Sequence, residues 1–132
     1  MAAIGLVQLR YLEQDNAYRR QICHWYEAGF EGANNLGIIR VAEGCESSRH
    51  LFQIHVSNRD EAMLALNEEG IYPGVHYRDN RAYEMFREDR DTCPNATRMS
   101  DRIISLPLHL RLTKGDVNKI VEAVRRHGGP RK

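Results

Sequence analysis

Lysine, the side chain that can hold a carbonyl as an imine, occurs only at Lys114, Lys119 and Lys132; every other member of the 19 basic residues is arginine. All three lie in or beyond a C-terminal amphipathic stretch, where a lysine is a solvated charge rather than a Schiff-base nucleophile. The arginine excess favours planar, bidentate contacts to carboxylate or phosphate, although a GC-rich genome gives the same bias and is the weightier reason. Cys23, Cys45 and Cys93 stand far apart with no Cys-x-x-Cys pair. None of the six histidines forms a His-x-x-x-His pair or sits at zinc-finger spacing from a cysteine, so no metal site is expected. His50 and His55 are expected in a strand, and no Ser-His-Asp or Cys-His arrangement follows from spacing alone.

With 19 basic and 18 acidic residues the net charge is +1, which gives neither a nucleic-acid footprint nor a membrane-surface helix. No secretory signal or bilayer-length apolar run is present, so the chain is expected to be cytoplasmic and reduced. At 132 residues it is expected to be one structural unit, a long helix over residues 1–30 and a small domain over 31–132.

The elements that would carry any site follow from periodicity. Ala2 to Phe30 reads as one helix, with Ile4, Val7, Tyr11, Tyr18, Ile22 and Trp25 along a stripe. Leu6, Leu9 and Leu12 point away from that stripe, an excess of apolar surface that seeks a partner or a second layer of the same domain. Asn34-Asn35 and Gly37 mark a turn before a short strand at Ile38 to Val41. Arg49 to Val56 alternates as a strand, with Phe52, Ile54 and Val56 on one face. Ser57 with Asp60 has the form of a capping box for a helix that carries Met63 and Leu66 inward and stops at Gly70. Ile71 to Tyr77 reads as a strand, Ala82 to Phe86 as one or two helical turns, and Arg87 to Thr92 as a charged loop. A short helix after Cys93-Pro94 is expected to turn Ala96 and Met99 inward, and Ile103 to Leu106 is a strand ended by Pro107. Thr113 with Asp116 caps the last helix, closed by Gly128-Gly129-Pro130. The order predicts an α+β fold, a long N-terminal helix followed by a small, mainly antiparallel sheet covered by helices.

Several blocks in this order resemble a known family. Ala2-Ala3-Ile4-Gly5-Leu6-Val7-Gln8-Leu9, Arg19-Arg20, Tyr26, His50-Leu51-Phe52, Gly70-Ile71, Gly74-Val75-His76-Tyr77, Cys93-Pro94-Asn95-Ala96, Ser105-Leu106-Pro107-Leu108-His109 and Leu112-Thr113 are similar to the C-terminal part of sugar aminotransferases of the DegT/DnrJ/EryC1/StrS family. The resemblance covers almost the whole chain. It implies pyridoxal phosphate chemistry of fold type I, carried by a large domain whose lysine, pyridine-pairing acid and phosphate loop have no counterpart in this sequence. It therefore implies a chain that holds no cofactor alone and does not transaminate alone.

The same resemblance places the segment matching Gly74 to Tyr77 near the sugar-nucleotide side of the active site, with His50 on the preceding strand. His50, His76, Tyr77, Arg78 and Arg81 are thus candidate sugar-nucleotide contacts, the arginine forks suiting a diphosphate. The same residues also read as a polar strand end and a solvated loop, particularly because the family continues with a proline-containing stretch where this chain has Arg78-Asp79-Asn80-Arg81. Arg19 and Arg20 are expected on a solvated face, one pairing with Glu13 or Asp15. Ile4, Leu6, Val7, Leu9 and Leu12 are candidate interface residues, against a second copy in a homodimer or against a separately encoded large domain.

Overall fold

Phe52, Ile54 and Val56 are buried while Gln53 and His55 are not, so the alternation in this stretch builds a strand with one face in the core. The computed structural model describes residues 2–89 and 92–129. In chain order these form α1 (Ala2–Leu9), α2 (Leu12–Gly29), β1 (Leu36–Ile38), β2 (Phe52–Val56), α3 (Arg59–Glu68), two 3-10 turns (Asn80–Ala82 and Glu84–Asp89), α4 (Pro94–Ser100), β3 (Ile103–Leu106) and α5 (Lys114–His127). The sheet is antiparallel in the order β1-β2-β3, with Leu36 opposite Val56 and Phe52 opposite Leu106. This is the α+β architecture expected, with helices covering one face of a small sheet.

The core joins Ile22, Cys23 and Tyr26 of α2 to the sheet, to Ala62 and Leu66 of α3, and to Val117, Ile120, Val121 and Val124 of α5. Tyr26 stacks on Phe52 at 4.8 Å and on Phe30 at 6.1 Å between ring centroids. Its hydroxyl donates to the Pro107 carbonyl at 2.9 Å, and Tyr18 does the same to Leu112 at 2.8 Å. One buried and one partly covered phenol thus fasten the segment after β3 to α2 while meeting their own need for a partner. On α5 the Thr113–Asp116 capping box is present, with Thr113 Oγ1 accepting from the Asp116 amide and Asp116 accepting from Thr113.

Several expectations are corrected. The N-terminal helix is not continuous: the amides of Arg10 and Tyr11 bond the carbonyls of Val7 and Gln8, three residues back, and this tight turn separates α1 from α2. The phase of α1 is therefore not carried into α2. Of the expected stripe only Ile22 is buried, Tyr18 and Trp25 are partly covered, and Ile4, Val7 and Tyr11 are exposed. β1 lies two residues earlier than expected. The box at Ser57 is absent: Asn58 occupies the cap position and makes no side-chain cap bond. The stop at Gly70 holds, with Gly70 left-handed at φ 75° and the Ile71 amide reaching back to the Leu66 carbonyl.

Ile71 to Tyr77 is not a strand. Pro73 has no amide to give a ladder, and only Gly74 pairs, as an isolated antiparallel bridge to Ser105. His50 precedes β2 at a bend instead of lying in it. Ala96 is exposed, and Met99 is only partly covered. Arg19 donates to Asn16 and Arg20 meets Glu46, so neither takes the acidic partners expected. Arg90 and Asp91 of the charged loop, Pro130 and Lys132 lie outside the described residues.

Candidate functional site

A cavity of about 600 Å³ opens where the start of α3, the segment after Gly74, the first 3-10 turn and the end of α4 converge. Arg59, Arg78 and Arg81 line it together with Asp79, Ser100 and Asp101. Arg59 is the first residue of α3; its Nη1 donates to the Ser100 carbonyl at 2.5 Å and its Nε to Asp60 at 2.8 Å. The Asp79 amide donates to Ser100 Oγ at 3.1 Å, and the Arg81 amide to Asp79 Oδ1 at 3.0 Å. Arg81 Nε lies 2.5 Å from Asp79 Oδ2, and its Nη2 3.9 Å from Asp101. Two of the three guanidinium groups are therefore tied within the wall. Arg78 is exposed and has no ion pair among the described residues, so its fork is the one open to an anion.

The expected site residues are only partly gathered. Arg78 and Arg81 line the cavity. His76 stands beside it, half-buried, its carbonyl accepting from Gln53 Nε2 at 2.6 Å and its ring edge-on to Tyr77 at 5.3 Å. Its Nδ1 is buried without a hydrogen-bond partner. Tyr77 is exposed, and His50 is exposed and does not line the cavity. Reading the sequence missed Arg59, Asp79, Ser100 and Asp101. Arg59 did carry a signal: a cation in the first turn of a helix opposes the macrodipole and needs another reason to be there.

The wall carries three cations against two carboxylates, which suits a small anion held by arginine. Among the described residues that line the cavity there is no lysine or thiol. Cys23 is buried in the core, and burial, outweighing the influence of Arg49, pushes its thiol up to about 11, which removes it as a nucleophile. Burial likewise pushes the Tyr26 phenol well above its ordinary value. Lys114 and Lys119 are exposed on α5. Lys119 does lie at the rim of a second cavity of about 480 Å³ with Tyr72, His109 and Asp116. Asp116 there is held below the usual carboxylate range, first by its bond to the Thr113 hydroxyl. Among the described residues no three His, Cys, Asp or Glu side chains are grouped to hold a metal, and no helix is long and apolar enough to cross a membrane.

Solved structures share this fold. A Streptococcus pneumoniae protein described as a sugar aminotransferase matches 97% of this chain at 29% identity with a TM-score of 0.89. The aminotransferase TlmJ of Streptoalloteichus hindustanus matches 96% at 27% identity and 0.87. DesV of S. venezuelae, at 23% identity, shares the fold over 99% of the chain with a TM-score of 0.90. The pneumococcal protein is known in apo, PLP and PMP forms. This chain covers 34%, 35% and 36% of the three, about a third of their length. The profile of the DegT/DnrJ/EryC1/StrS aminotransferases matches residues 1–125. Because that match runs over nearly the whole chain, the chain belongs to the DegT/DnrJ/EryC1/StrS aminotransferase family.

Proposed function

We propose that this chain is a non-catalytic module of sugar-aminotransferase type, which acts by engaging a cofactor-binding body and carries out no transamination alone. The placement of its amines supports this reading. A pyridoxal phosphate enzyme needs a desolvated lysine, with a cradle for the phosphate, to hold and release the cofactor. The described residues do not fit that group: Lys114 and Lys119 stand in solvent on α5, and no lysine is among the described residues that line the arginine-bearing cavity. Borohydride reduction of the purified chain with equimolar pyridoxal phosphate is the test. The expected result is no specific adduct. A near-stoichiometric pyridoxyl group on one lysine, with Lys119 beside Tyr72 and His109 the first to inspect, would sink the reading.

A second reading, weak binding of a sugar nucleotide without chemistry, is favoured by the open fork of Arg78 in a cavity shared with Arg59 and Arg81. Titration with nucleotide sugars should then give weak binding that Arg78→Ala with Arg81→Ala removes. Tight binding that survives both substitutions would place the ligand elsewhere. Completion of the module by a separate pyridoxal phosphate chain, giving a split enzyme, is the form of partnership that the apolar N-terminal helix favours. A homodimer is the competing assembly, and sedimentation equilibrium separates the two.

A further inference from the structure

Ile104 and Leu106 of β3 belong to the core, so the alternation of the strand turns Ser105 to the other face of the sheet. Ser105 is nevertheless only 3% exposed, and its Oγ is buried with no hydrogen-bond partner among the described residues. The stretch that begins at Gly74 lies against it. The Gly74 amide donates to the Ser105 carbonyl at 2.9 Å, and the Ser105 amide to the Gly74 carbonyl at 2.8 Å. Residues paired in this way turn their side chains to one face, with Cβ positions about 5 Å apart. A Cβ on Gly74 would lie 2.7 Å from Cε1 and 3.3 Å from Nδ1 of His76. The His76 ring therefore fills the place that a side chain at position 74 would take, next to the Ser105 hydroxymethyl group. Its Nδ1 is likewise buried and unpartnered among the described residues. Gln53 stands opposite Ser105 on β2, on the same face, and its Nε2 donates to the His76 carbonyl at 2.6 Å.

Two neighbouring polar atoms thus leave bulk water on folding and bond neither each other nor any other described residue. Burial without a bond carries the full cost of desolvation, and native folds meet it with a partner. The partner here must both donate and accept, because it faces a hydroxyl and an imidazole nitrogen. It must also be small. Two hydrogen bonds of about 2.8 Å through a single oxygen span about 5 Å, which is the spacing that the strand pairing sets between these side chains. On this basis we propose that Ser105 Oγ and His76 Nδ1 together hold one internal water, with the Gln53 side chain as its third polar neighbour. Three such contacts are the usual complement of a water inside a fold. The water is a further tie, after the Gly74–Ser105 bridge and the Gln53 bond, between the sheet and the stretch that leads from Gly74 to Arg78. This inference is independent of the function proposed above, since it concerns how that stretch is held and not what the cavity binds.

The test joins a crystal structure of the chain, at a resolution that shows ordered water, to urea unfolding of three variants. The expected density is one water peak within about 2.7–3.2 Å of both Ser105 Oγ and His76 Nδ1. Ser105→Ala then decides by the sign of its effect. With the water in place, the substitution removes a bonded hydroxyl and lowers the urea midpoint. Were the hydroxyl orphaned in a dry site, deleting it would relieve an unpaired polar group and raise the midpoint. His76→Phe keeps a ring over Gly74 but offers no nitrogen, and should also lower the midpoint. Because either substitution already costs the water its place, the double variant should lose less than the sum of the two singles. A direct Ser105–His76 bond, a contact without ordered water, a Ser105→Ala midpoint at or above that of the parent, or strictly additive losses would each overturn the proposal.

Discussion

Gly29 ends α2 where that helix meets α5, and a methyl group added there would lie 2.7 Å from Val121 Cγ2 and 3.0 Å from Cγ1. Helix propensity alone favours Gly29→Ala by up to about 1 kcal/mol. Packing opposes it, because Val121 is buried and β-branched, which restricts the rotamers it can retreat into. Overpacking of this kind costs about 1–3 kcal/mol, so packing wins and the net loss is about 1–2 kcal/mol. The Gly29 carbonyl also accepts from Arg125 Nε at 2.9 Å and Nη2 at 2.8 Å, so any shift of the backbone disturbs that anchor too. For a chain of this size such a loss lowers the melting midpoint by roughly 3–8 °C. Thermal and urea unfolding followed by circular dichroism would measure it. Gly115→Ala is the control: its nearest contact is an ordinary 3.6 Å to Thr113 Oγ1, so propensity acts unopposed and the midpoint should rise. Val121→Ala should restore room for the methyl, making the double variant more stable than the sum of the two singles by about 1 kcal/mol. Additive losses, or a Gly29→Ala variant that melts higher than the parent, would refute the steric account.

Arg125→Ala removes three bonds to the carbonyls of Gly29 and Glu31, which cap the end of α2, and should lower stability by about 1 kcal/mol in urea titration. Arg126→Ala breaks one surface pair with Glu69 and should have a smaller effect in the same titration. Glu69 is held below the usual carboxylate range first by its bond to His127 and then by Arg126, and Asp116 first by Thr113. Both carboxylates therefore stabilise the fold above the ordinary carboxylate range and lose that contribution as pH falls through their depressed values. Glu69→Gln with Asp116→Asn should lower the urea midpoint at pH 7 and flatten its decline towards about pH 3; an unchanged acid slope would contradict the assignment. Cys45 and Cys93 are exposed and should react with a thiol reagent in the native chain, whereas Cys23 should react only on unfolding.

What could be read from the sequence was local and periodic. β2 alternates strictly and packs one face, and the Thr113–Asp116 pair both announces and caps α5, so these elements stand where their patterns put them. The errors came where a pattern of residue types met a condition that the types do not encode. Ile71 to Tyr77 has strand-like composition, yet Pro73 breaks the ladder and leaves one bridge at Gly74. Ser57 and Asp60 have the spacing of a capping box, but Asn58 takes the cap position, so neither side chain is placed to close it. The N-terminal stripe assumed a single helical phase, which the turn at Arg10 and Tyr11 resets; that is why Cys23 and Tyr26, not Trp25, reach the core.

The candidate site was legible only where its residues are neighbours in sequence. Arg78 and Arg81 share a cavity because the intervening 3-10 turn folds them together, with Asp79 accepting from the Arg81 amide. Arg59 reaches the same cavity from another element, through a bond to the carbonyl of Ser100 that lies 41 residues away in the chain. Such a contact leaves no periodic trace, and the only local hint was a cation placed at the wrong end of a helix dipole. His50, named because the resemblance matches it to a family histidine, stands at the bend before Phe52, exposed and outside the described lining of this cavity. The electrostatic consequence is specific. With Arg59 held by Ser100 and Asp60, and Arg81 held by Asp79, any anion taken up there must be won by Arg78.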